Sequence, residues 1–276
     1  MNCKDYSKQT QAEFADWVET YCPLPDYTSD AVCNFLADHF SSVVVAGDSL
    51  ARQIYQAGVI KFTGDPLYGS QKDSIYKSGT EREKLKDEAQ FYHMYIQHIV
   101  QWNELKARDT FCKNSTRKFR TEFLLLQKWS HFDKYMANFK ARIAEGRPLL
   151  IFGIGLWDNY DWKSCSEKFI YPIFKYLSTI KGANKPLVVW LGGNAHGTWK
   201  QARYVKMQGD HLSVPFNVRM QTVCKEYGIP FFDNFSFTFN AISHDGTHYG
   251  SGVNNAKFKM LMKLVKYIID EEDMRT

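Results

Sequence analysis

Short apolar runs that stop at glycine alternate along this chain with longer segments of helical periodicity. The clearest runs cover residues 43–46, 149–152 and 187–191, and Gly47, Gly153 and Gly192 follow them. Continuous apolar runs of this length are typical of buried strands. Strands separated by helices favour a parallel sheet wrapped by helices, and therefore an α/β fold.

The spacing of these segments predicts one three-layer α/β/α domain over 1–276, flavodoxin-like, with an N-terminal helical extension over 1–40. Its mainly parallel central sheet has about five strands, whose carboxyl ends share one edge, where ligands bind in such sheets. Segment 64–90 is predicted as loop plus helix, and 91–100 allows a strand or a helix. The remaining expectations are a strand over 229–232 and helices over 11–20, 30–40, 49–59, 131–145, 164–180, 214–227 and 252–271.

Composition excludes several classes of protein. Hydrophobic residues make up 44% and charged residues 24% of the chain, which indicates a globular core rather than disorder. The net charge of +5 is spread among acids without a lysine–arginine run, so we expect no nucleic-acid partner. We also expect no membrane segment, because no apolar stretch is long enough to span a bilayer.

The cysteines leave the cellular compartment open. Six are present and none forms a CxxC pair, so we expect no structural zinc and no other metal site. They can form three disulfides or remain free thiols. Glycosylation sequons begin at Asn114 and Asn234, and together with the even cysteine count they slightly favour the secretory lumen over the cytoplasm.

A serine lies at the first strand-to-helix turn, in Gly47-Asp48-Ser49-Leu50. A serine at a helix N-terminus exposes its hydroxyl, and neighbouring backbone N–H groups can stabilise an oxyanion there. Taken alone, the segment is equally typical of a helix cap formed by Asp48 or Ser49.

A second polar segment, Asp245-Gly246-Thr247-His248, follows the last predicted strand and precedes the final helix. Two intervening residues let the carboxylate reach one ring nitrogen while the other nitrogen faces a cleft, as a catalytic base requires. His244 is a rival base. The alternative is a surface turn with a local Asp–His hydrogen bond.

The two segments together resemble the SGNH, or GDSL, hydrolase superfamily, with serine early and Asp-x-x-His late, over about residues 43–265. The chain looks most like its PC-esterase branch and the luminal domains of glycan O-acetyltransferases, because Arg52 follows Ser49 by three positions. The resemblance implies an SGNH-type catalytic domain that acts on O-acyl groups, chiefly acetyl, of carbohydrate. Ser49 would be the nucleophile, His248 the base and Asp245 its orienting acid.

The middle of the chain departs from the simplest superfamily pattern. Residues 153–159 follow the second clear strand and are similar to the Gly-x-Trp variant of the PC-esterase branch. The superfamily usually has a glycine after its second strand and an asparagine after its third, and both stabilise the oxyanion. By this resemblance, Gly64 or Gly69 would be the glycine, and Asn159 and Asn194 are alternatives for the asparagine. The other candidates for oxyanion or substrate roles are Gly155, Arg52 and Trp157, and Tyr160, Trp162 and Trp199 join Trp157 as residues that could stack on a sugar.

The implied reaction is acyl transfer through an acyl-enzyme, resolved by water in an esterase or by a sugar hydroxyl in an O-acetyltransferase. No cofactor is implied, although a transferase would use acetyl-CoA or another acyl donor. Two alternatives remain at this point. One is an α/β-hydrolase-type esterase, since Gly47-Asp48-Ser49-Leu50-Ala51 nearly matches Gly-x-Ser-x-Gly. The other is a catalytically silent glycan-binding domain.

Overall fold

One parallel sheet forms the centre of the molecule. The structure is a computed structural model that describes residues 27–64, 112, 120–241, 243 and 245–274. The sheet has five strands in the order β2-β1-β3-β4-β5, with every neighbouring pair parallel. This confirms the predicted α/β class and strand number. The strands are β1 (Ser42–Gly47), β2 (Arg120–Leu125), β3 (Pro148–Phe152), β4 (Leu187–Leu191) and β5 (Phe231–Phe232).

Helices connect the strands, and most of those predicted begin and end within two residues of the expected positions. The helix predicted over 49–59 continues to Thr63, and the helix predicted over 214–227 begins at Asp210. The described helices are α1 (Ser29–His39), α2 (Ser49–Thr63), α3 (Phe132–Glu145), α4 (Trp162–Cys165), α5 (Tyr171–Thr179), α6 (Ala202–Gln208), α7 (Asp210–Glu226), α8 (Asn234–Thr238) and α9 (Ser251–Asp273). A π-helical turn, Ser166–Ile170, joins α4 to α5, so the helix predicted over 164–180 is one irregular helical segment. The short helices α6 and α8 were not predicted.

The sheet is covered on both faces because its side chains alternate between them. Val43 and Val45 of β1 belong to a core cluster with α1, α2 and α9. Val44 and Ala46 belong to a second cluster with α3, α5 and α7. The predicted three-layer arrangement is therefore confirmed.

Strand β2 was missed by the sequence prediction because it carries a charge at a buried position. Glu122 is buried, and its Oε1 forms an ion pair with Arg142 Nε on α3 at 2.8 Å. Asn138 Nδ2 donates to the same carboxylate oxygen at 3.3 Å. These partners offset the cost of burying the charge, so the strand forms without the apolar pattern that marks the other strands.

The last strand is shorter than predicted. Residues 229–232 were expected, but only Phe231–Phe232 pair with β4 as a strand. Pro230 has no N–H to donate, although its carbonyl accepts from Trp190 N at 2.9 Å. Ile229 N instead donates to Cys224 O at the end of α7.

The cysteines divide into two described groups. Cys33 of α1 is joined by a disulfide to Cys112, whereas Cys165 and Cys224 are buried free thiols. Several predictions lie outside the described residues. They concern Cys3, Cys22, the alternative glycine Gly69, the alternative base His244 and the segments 11–20, 65–90 and 91–100.

Candidate active site

The turn between β1 and α2 presents Ser49 at the carboxyl edge of the sheet. It begins at Gly47, whose φ of 155° falls outside the usual range of L-residues. A Cβ at this position would lie 3.0 Å from Gly153 O and 2.8 Å from Ala51 Cβ. Glycine is needed here because the ends of β1 and β3 approach each other directly beneath the turn.

Asp48 caps the helix and leaves the Ser49 hydroxyl available. Its Oδ1 accepts from Leu50 N at 2.9 Å, and Ser49 is the first residue of α2. Burial raises the pKa of Asp48, and the Leu50 hydrogen bond and the charge of His248 oppose this shift only in part. The capping interpretation of this segment is therefore correct for Asp48.

His248 lies against the serine, and Asp245 lies against His248. His248 Nε2 is 2.7 Å from Ser49 Oγ, although the two residues are separated by 199 positions. His248 Nδ1 is 2.6 Å from Asp245 Oδ2. The three side chains thus form a continuous chain of hydrogen bonds, with each ring nitrogen facing a different partner.

Asp245 is held as an anion by its own turn. Its Oδ1 accepts from Thr247 N at 2.8 Å and from His248 N at 2.7 Å. Partial burial raises the pKa of this carboxyl, but the hydrogen bonds and the charge of His248 outweigh it, so the pKa of Asp245 falls well below its usual range. The carboxylate is therefore ionised throughout the neutral range and favours a proton on His248 Nδ1.

The acid–base turn is packed tightly onto the loop that follows β4. Gly246 has a φ of 77°, and a Cβ there would clash with the backbone N and Cα of Lys200. Gly246 O accepts from Gly197 N at 2.9 Å. On the other side of the turn, Ser243 Oγ donates to His248 O at 2.6 Å. These contacts fix the position of the imidazole relative to the sheet.

The two asparagines proposed as oxyanion donors lie in different environments. Asn159 is exposed and closes a turn in the left-handed conformation, with a φ of 51°. Asn194 is buried, and its Oδ1 accepts from Lys257 Nζ at 2.9 Å. Its Nδ2 is buried without a hydrogen-bond partner in the described part of the chain.

Gly155 and Gly64 have structural roles. Gly155 starts the turn after β3 with a φ of 137°, and a Cβ there would lie 2.9 Å from the Tyr160 ring. Gly64 ends α2 in the left-handed conformation. Because α2 has 15 residues, Gly64 lies about 22 Å from the serine end of the helix. The expectation that Gly64 contributes to an oxyanion site is therefore wrong.

Arg52 is half-buried on the first turn of α2. Desolvation lowers the pKa of its guanidinium, and the negative charge of Asp48 opposes this shift. Its Nε is buried without a hydrogen-bond partner among residues 27–64, 112, 120–241 and 245–274. Within those residues, Arg52 forms no ion pair with an acid.

The aromatic candidates separate into exposed and packed side chains. Trp157 is 47% exposed and Trp199 is 69% exposed, on the loops after β3 and β4. Tyr160 is buried, with its ring 5.4 Å from that of Phe216. Trp162 packs on the same Phe216 ring at 5.6 Å. Trp157 and Trp199 are therefore the most exposed rings of this set, whereas Trp162 is partly exposed and Tyr160 lines the pocket beside the serine turn.

Sequence interpretation missed Lys257, which is buried beside Asn194. The residue occurs on α9 in register with the buried residues Val253 and Leu261, four positions away on either side. A lysine within an apolar i, i+4 series was the signal that could have revealed it.

The described residues contain no group of three or more side chains suited to hold a metal ion. Among the same residues, none of the helices has the combination of length and apolar character required to cross a bilayer.

The fold and site together define an α/β protein with a serine, a histidine and an aspartate joined at the carboxyl edge of a parallel sheet. No protein-family model matches the chain, and no curated protein matches it. Solved structures with a similar course of the chain include a protein of Agrobacterium tumefaciens str. C58 assigned as an arylesterase. It is 15% identical, with a TM-score of 0.46 over 83% of this chain and 99% of that chain.

Two further solved structures have lower scores. They are Est24, a carbohydrate acetylesterase from Sinorhizobium meliloti, and the aryl esterase of M. smegmatis. They are 12% and 14% identical to this chain, and each has a TM-score of 0.40 over 61% of this chain and 85% of its own.

Proposed function

We propose that this protein is a serine esterase of SGNH type that removes small acyl groups, chiefly acetyl, from carbohydrate. The observation that carries the proposal is the 2.7 Å contact between Ser49 Oγ and His248 Nε2, continued by the 2.6 Å contact from His248 Nδ1 to Asp245. A nucleophile, a base and a group that orients the base are the minimum set for covalent acyl transfer.

In the first half of the reaction, Ser49 Oγ attacks the acyl carbonyl carbon while its proton passes to His248 Nε2. The carbonyl electron pair moves onto oxygen and gives a tetrahedral oxyanion. When this intermediate collapses, the bond to the sugar oxygen breaks and His248 returns the proton to that oxygen. The products are a free sugar hydroxyl and an acyl ester on Ser49.

In the second half, a water molecule attacks the acyl-enzyme and gives its proton to His248. Collapse of the second tetrahedral intermediate releases the carboxylic acid and returns the proton to Ser49 Oγ. In both halves, Asp245 accepts a hydrogen bond from His248 Nδ1–H and stabilises the imidazolium. Its lowered pKa suits this role, because the carboxylate remains charged beside the histidine.

The proposed oxyanion donors are the Ser49 amide and the Asn194 side chain. The amide of the first residue in a helix has no intrahelical acceptor and carries the positive end of the helix dipole. We favour Asn194 over Asn159 because its Nδ2 is buried without a partner, whereas Asn159 is exposed at a turn. A preorganised buried donor is worth more to a developing charge than a solvated one.

Two different features support a small acyl group and a carbohydrate as the parts of the substrate. A pocket next to the serine turn has apolar walls that include Leu50, Ile154 and Leu156. It is also lined by the polar residues Asp48, Tyr160 and Asn234, and this mixed lining suits a small acyl group such as acetyl. Exposed Trp157 and Trp199 on the neighbouring loops offer ring faces to a sugar. The resemblance to the PC-esterase branch also suggests an O-acetylated carbohydrate as the substrate.

Covalent labelling tests the nucleophile. A fluorophosphonate probe is expected to label the wild-type protein and not Ser49→Ala, because only an activated serine displaces its fluoride and forms a phosphonate ester. Ser178→Ala on α5 is the matched control, since that exposed hydroxyl binds only the Lys175 carbonyl. Failure of wild type to label would count against the enzyme and favour a silent glycan-binding domain.

Acetate release tests the reaction and its acceptor. Acetylated xylan is incubated with the protein, with and without a free sugar as acceptor, and both acetate and acetylated acceptor are measured. For an esterase, we expect acetate release that does not depend on the added sugar. Acetylated acceptor formed at the expense of acetate would instead identify a transferase.

A further inference from the structure

Lys257 is an interior lysine that the fold does not need for packing. It is 1% exposed and occupies a position on α9 between the buried residues Val253 and Leu261. Removing an amine from water is costly unless partners replace the lost hydration. An apolar side chain of similar length would fill the same space without that cost, so packing does not account for lysine here.

Few groups compensate the buried amine. Within the described residues, its one hydrogen bond runs from Nζ to Asn194 Oδ1 at 2.9 Å. The ring of Tyr249 lies 5.4 Å from Nζ, and the charge of Asp48 acts on it from the β1–α2 turn. Burial nevertheless lowers the pKa of Lys257 to about 7, and the charge of Asp48 offsets this only in part.

The lysine determines which way the Asn194 amide faces. The amide oxygen is the atom that faces the lysine, because Nζ donates to Oδ1 at 2.9 Å, and both the charged and the neutral amine can make this bond. The NH₂ group must then point away from Lys257, and this is the group that is buried without a partner. The neighbouring Ala195 O accepts from Tyr249 OH at 2.9 Å, which ties this loop to the residue directly after His248.

We propose that Lys257 is a positioning residue that holds the Asn194 amide with its N–H group turned toward the oxyanion formed on Ser49. The inference rests on the proposed esterase function and adds a residue from the last helix to the site. Lys257 contacts no reacting atom and acts through Asn194 alone.

The substitution Lys257→Met tests this role because it keeps the length of the side chain and removes the hydrogen-bond donor. With p-nitrophenyl acetate as substrate, we expect kcat to fall on the order of 10-fold with little change in KM. The Asn194 amide would no longer be held toward the oxyanion, and that charge develops only after the substrate has bound. We expect only a small change in Tm, because removal of the buried amine is offset by loss of the hydrogen bond to Asn194 Oδ1. Lys266→Met, on the exposed side of the same helix, should change neither value.

A double-mutant cycle with Asn194→Ala decides whether the lysine acts through the asparagine. Asn194→Ala alone should lower kcat by about 10²–10³, as for loss of one oxyanion donor. In that background, Lys257→Met should have no further effect on kcat. Equal slowing in both backgrounds would overturn the proposal, and so would unchanged kcat in the single variant.

Two further measurements separate this outcome from misfolding and from failure of the proposed function. Active sites are counted by complete fluorophosphonate labelling, so that kcat refers to folded enzyme. Lys257→Gln, which retains an N–H donor, should recover part of the rate and takes the place of the methionine variant if that variant is insoluble. A wild-type protein without esterase activity would refute the proposed function itself, whereas an active wild type with an equally active Lys257→Met refutes only the role of Lys257.

Discussion

Two histidine–aspartate pairs lie at the same edge of the sheet, and only one of them faces a nucleophile. His248 Nδ1 is 2.6 Å from Asp245, and His196 Nδ1 is 2.8 Å from Asp210. The difference is at the second ring nitrogen. His248 Nε2 meets Ser49 Oγ, whereas within the described residues no hydroxyl is bonded to His196 Nε2. A histidine–aspartate pair alone therefore does not identify a catalytic base. The contact with the Ser49 hydroxyl is what distinguishes His248 from His196.

The His196–Asp210 pair closes a loop instead. His196 N donates to Asp210 Oδ1 at 2.7 Å, and Asp210 N lies 3.2 Å from His196 Nδ1. Asp210 is the first residue of α7, so these bonds fasten the loop after β4 to the start of that helix. The ring nitrogen can donate to the carboxylate or accept from the amide, and both alternatives tie the same two elements together.

The largest expected contrast is between the two histidines. His248→Ala should lower kcat for p-nitrophenyl acetate by on the order of 10⁶, since loss of the base is nearly as damaging as loss of the whole triad. His196→Ala should lower it by less than about 10-fold and instead reduce the free energy of unfolding by about 1 kcal/mol, the usual worth of a hydrogen bond. Steady-state kinetics and urea unfolding of both variants measure this. A loss of activity in His196→Ala comparable to that in His248→Ala would contradict the assignment.

The two aspartates should differ by a smaller factor. Asp245→Asn should lower kcat by about 10⁴, because an amide favours the wrong tautomer of His248 while it preserves the shape of the turn. Asp210→Asn should leave kcat within about 10-fold of wild type, because its histidine transfers no proton. Both variants are compared at equal concentrations of folded protein, verified by circular dichroism and urea unfolding. Equal losses would mean that the loop after β4 takes part in the chemistry.

The smallest expected effect is on stability as a function of pH. The pKa of Asp245 is lower in the folded protein than in an unfolded chain, so its contribution to stability is present above the ordinary carboxyl pKa and is lost as pH falls below it. The side chain is 41% exposed, so the contribution is modest. Between pH 7 and pH 3, Tm of Asp245→Asn should fall less than that of wild type. A steeper fall in the variant would contradict the lowered pKa.

The sequence was sufficient to predict the parallel sheet, three of its strands and the three residues that meet at its edge. Regular apolar runs fix β1, β3 and β4, and right-handed crossovers bring the ends of such strands to one edge, so Ser49 and His248 are neighbours despite their separation. The same reasoning failed where a charged residue is buried. Glu122 in β2 is compensated by an ion pair with Arg142, and Lys257 in α9 has a hydrogen bond to Asn194. Partners from distant segments have no signature in local periodicity.

Helix length explains the wrong expectation for Gly64. The predicted helix ended at residue 59, which would leave the glycine in a loop that could return to the site. The actual helix continues to Thr63, and Gly64 is the left-handed residue that ends it. Whether Asn159 or Asn194 is buried also depended on packing between loops, which sequence spacing does not encode.

The close fit of Gly246 against Lys200 limits how the substrate side of this protein can be redesigned. Exposed Trp199 precedes Lys200 on the same loop, so a substitution that moves this loop would also displace the turn that carries the imidazole. If Trp199 contacts the sugar, as we propose, changes in substrate preference and changes in proton transfer would be difficult to separate here. Libraries aimed at new substrates should therefore vary the loop around Trp157 and leave residues 197–200 unchanged.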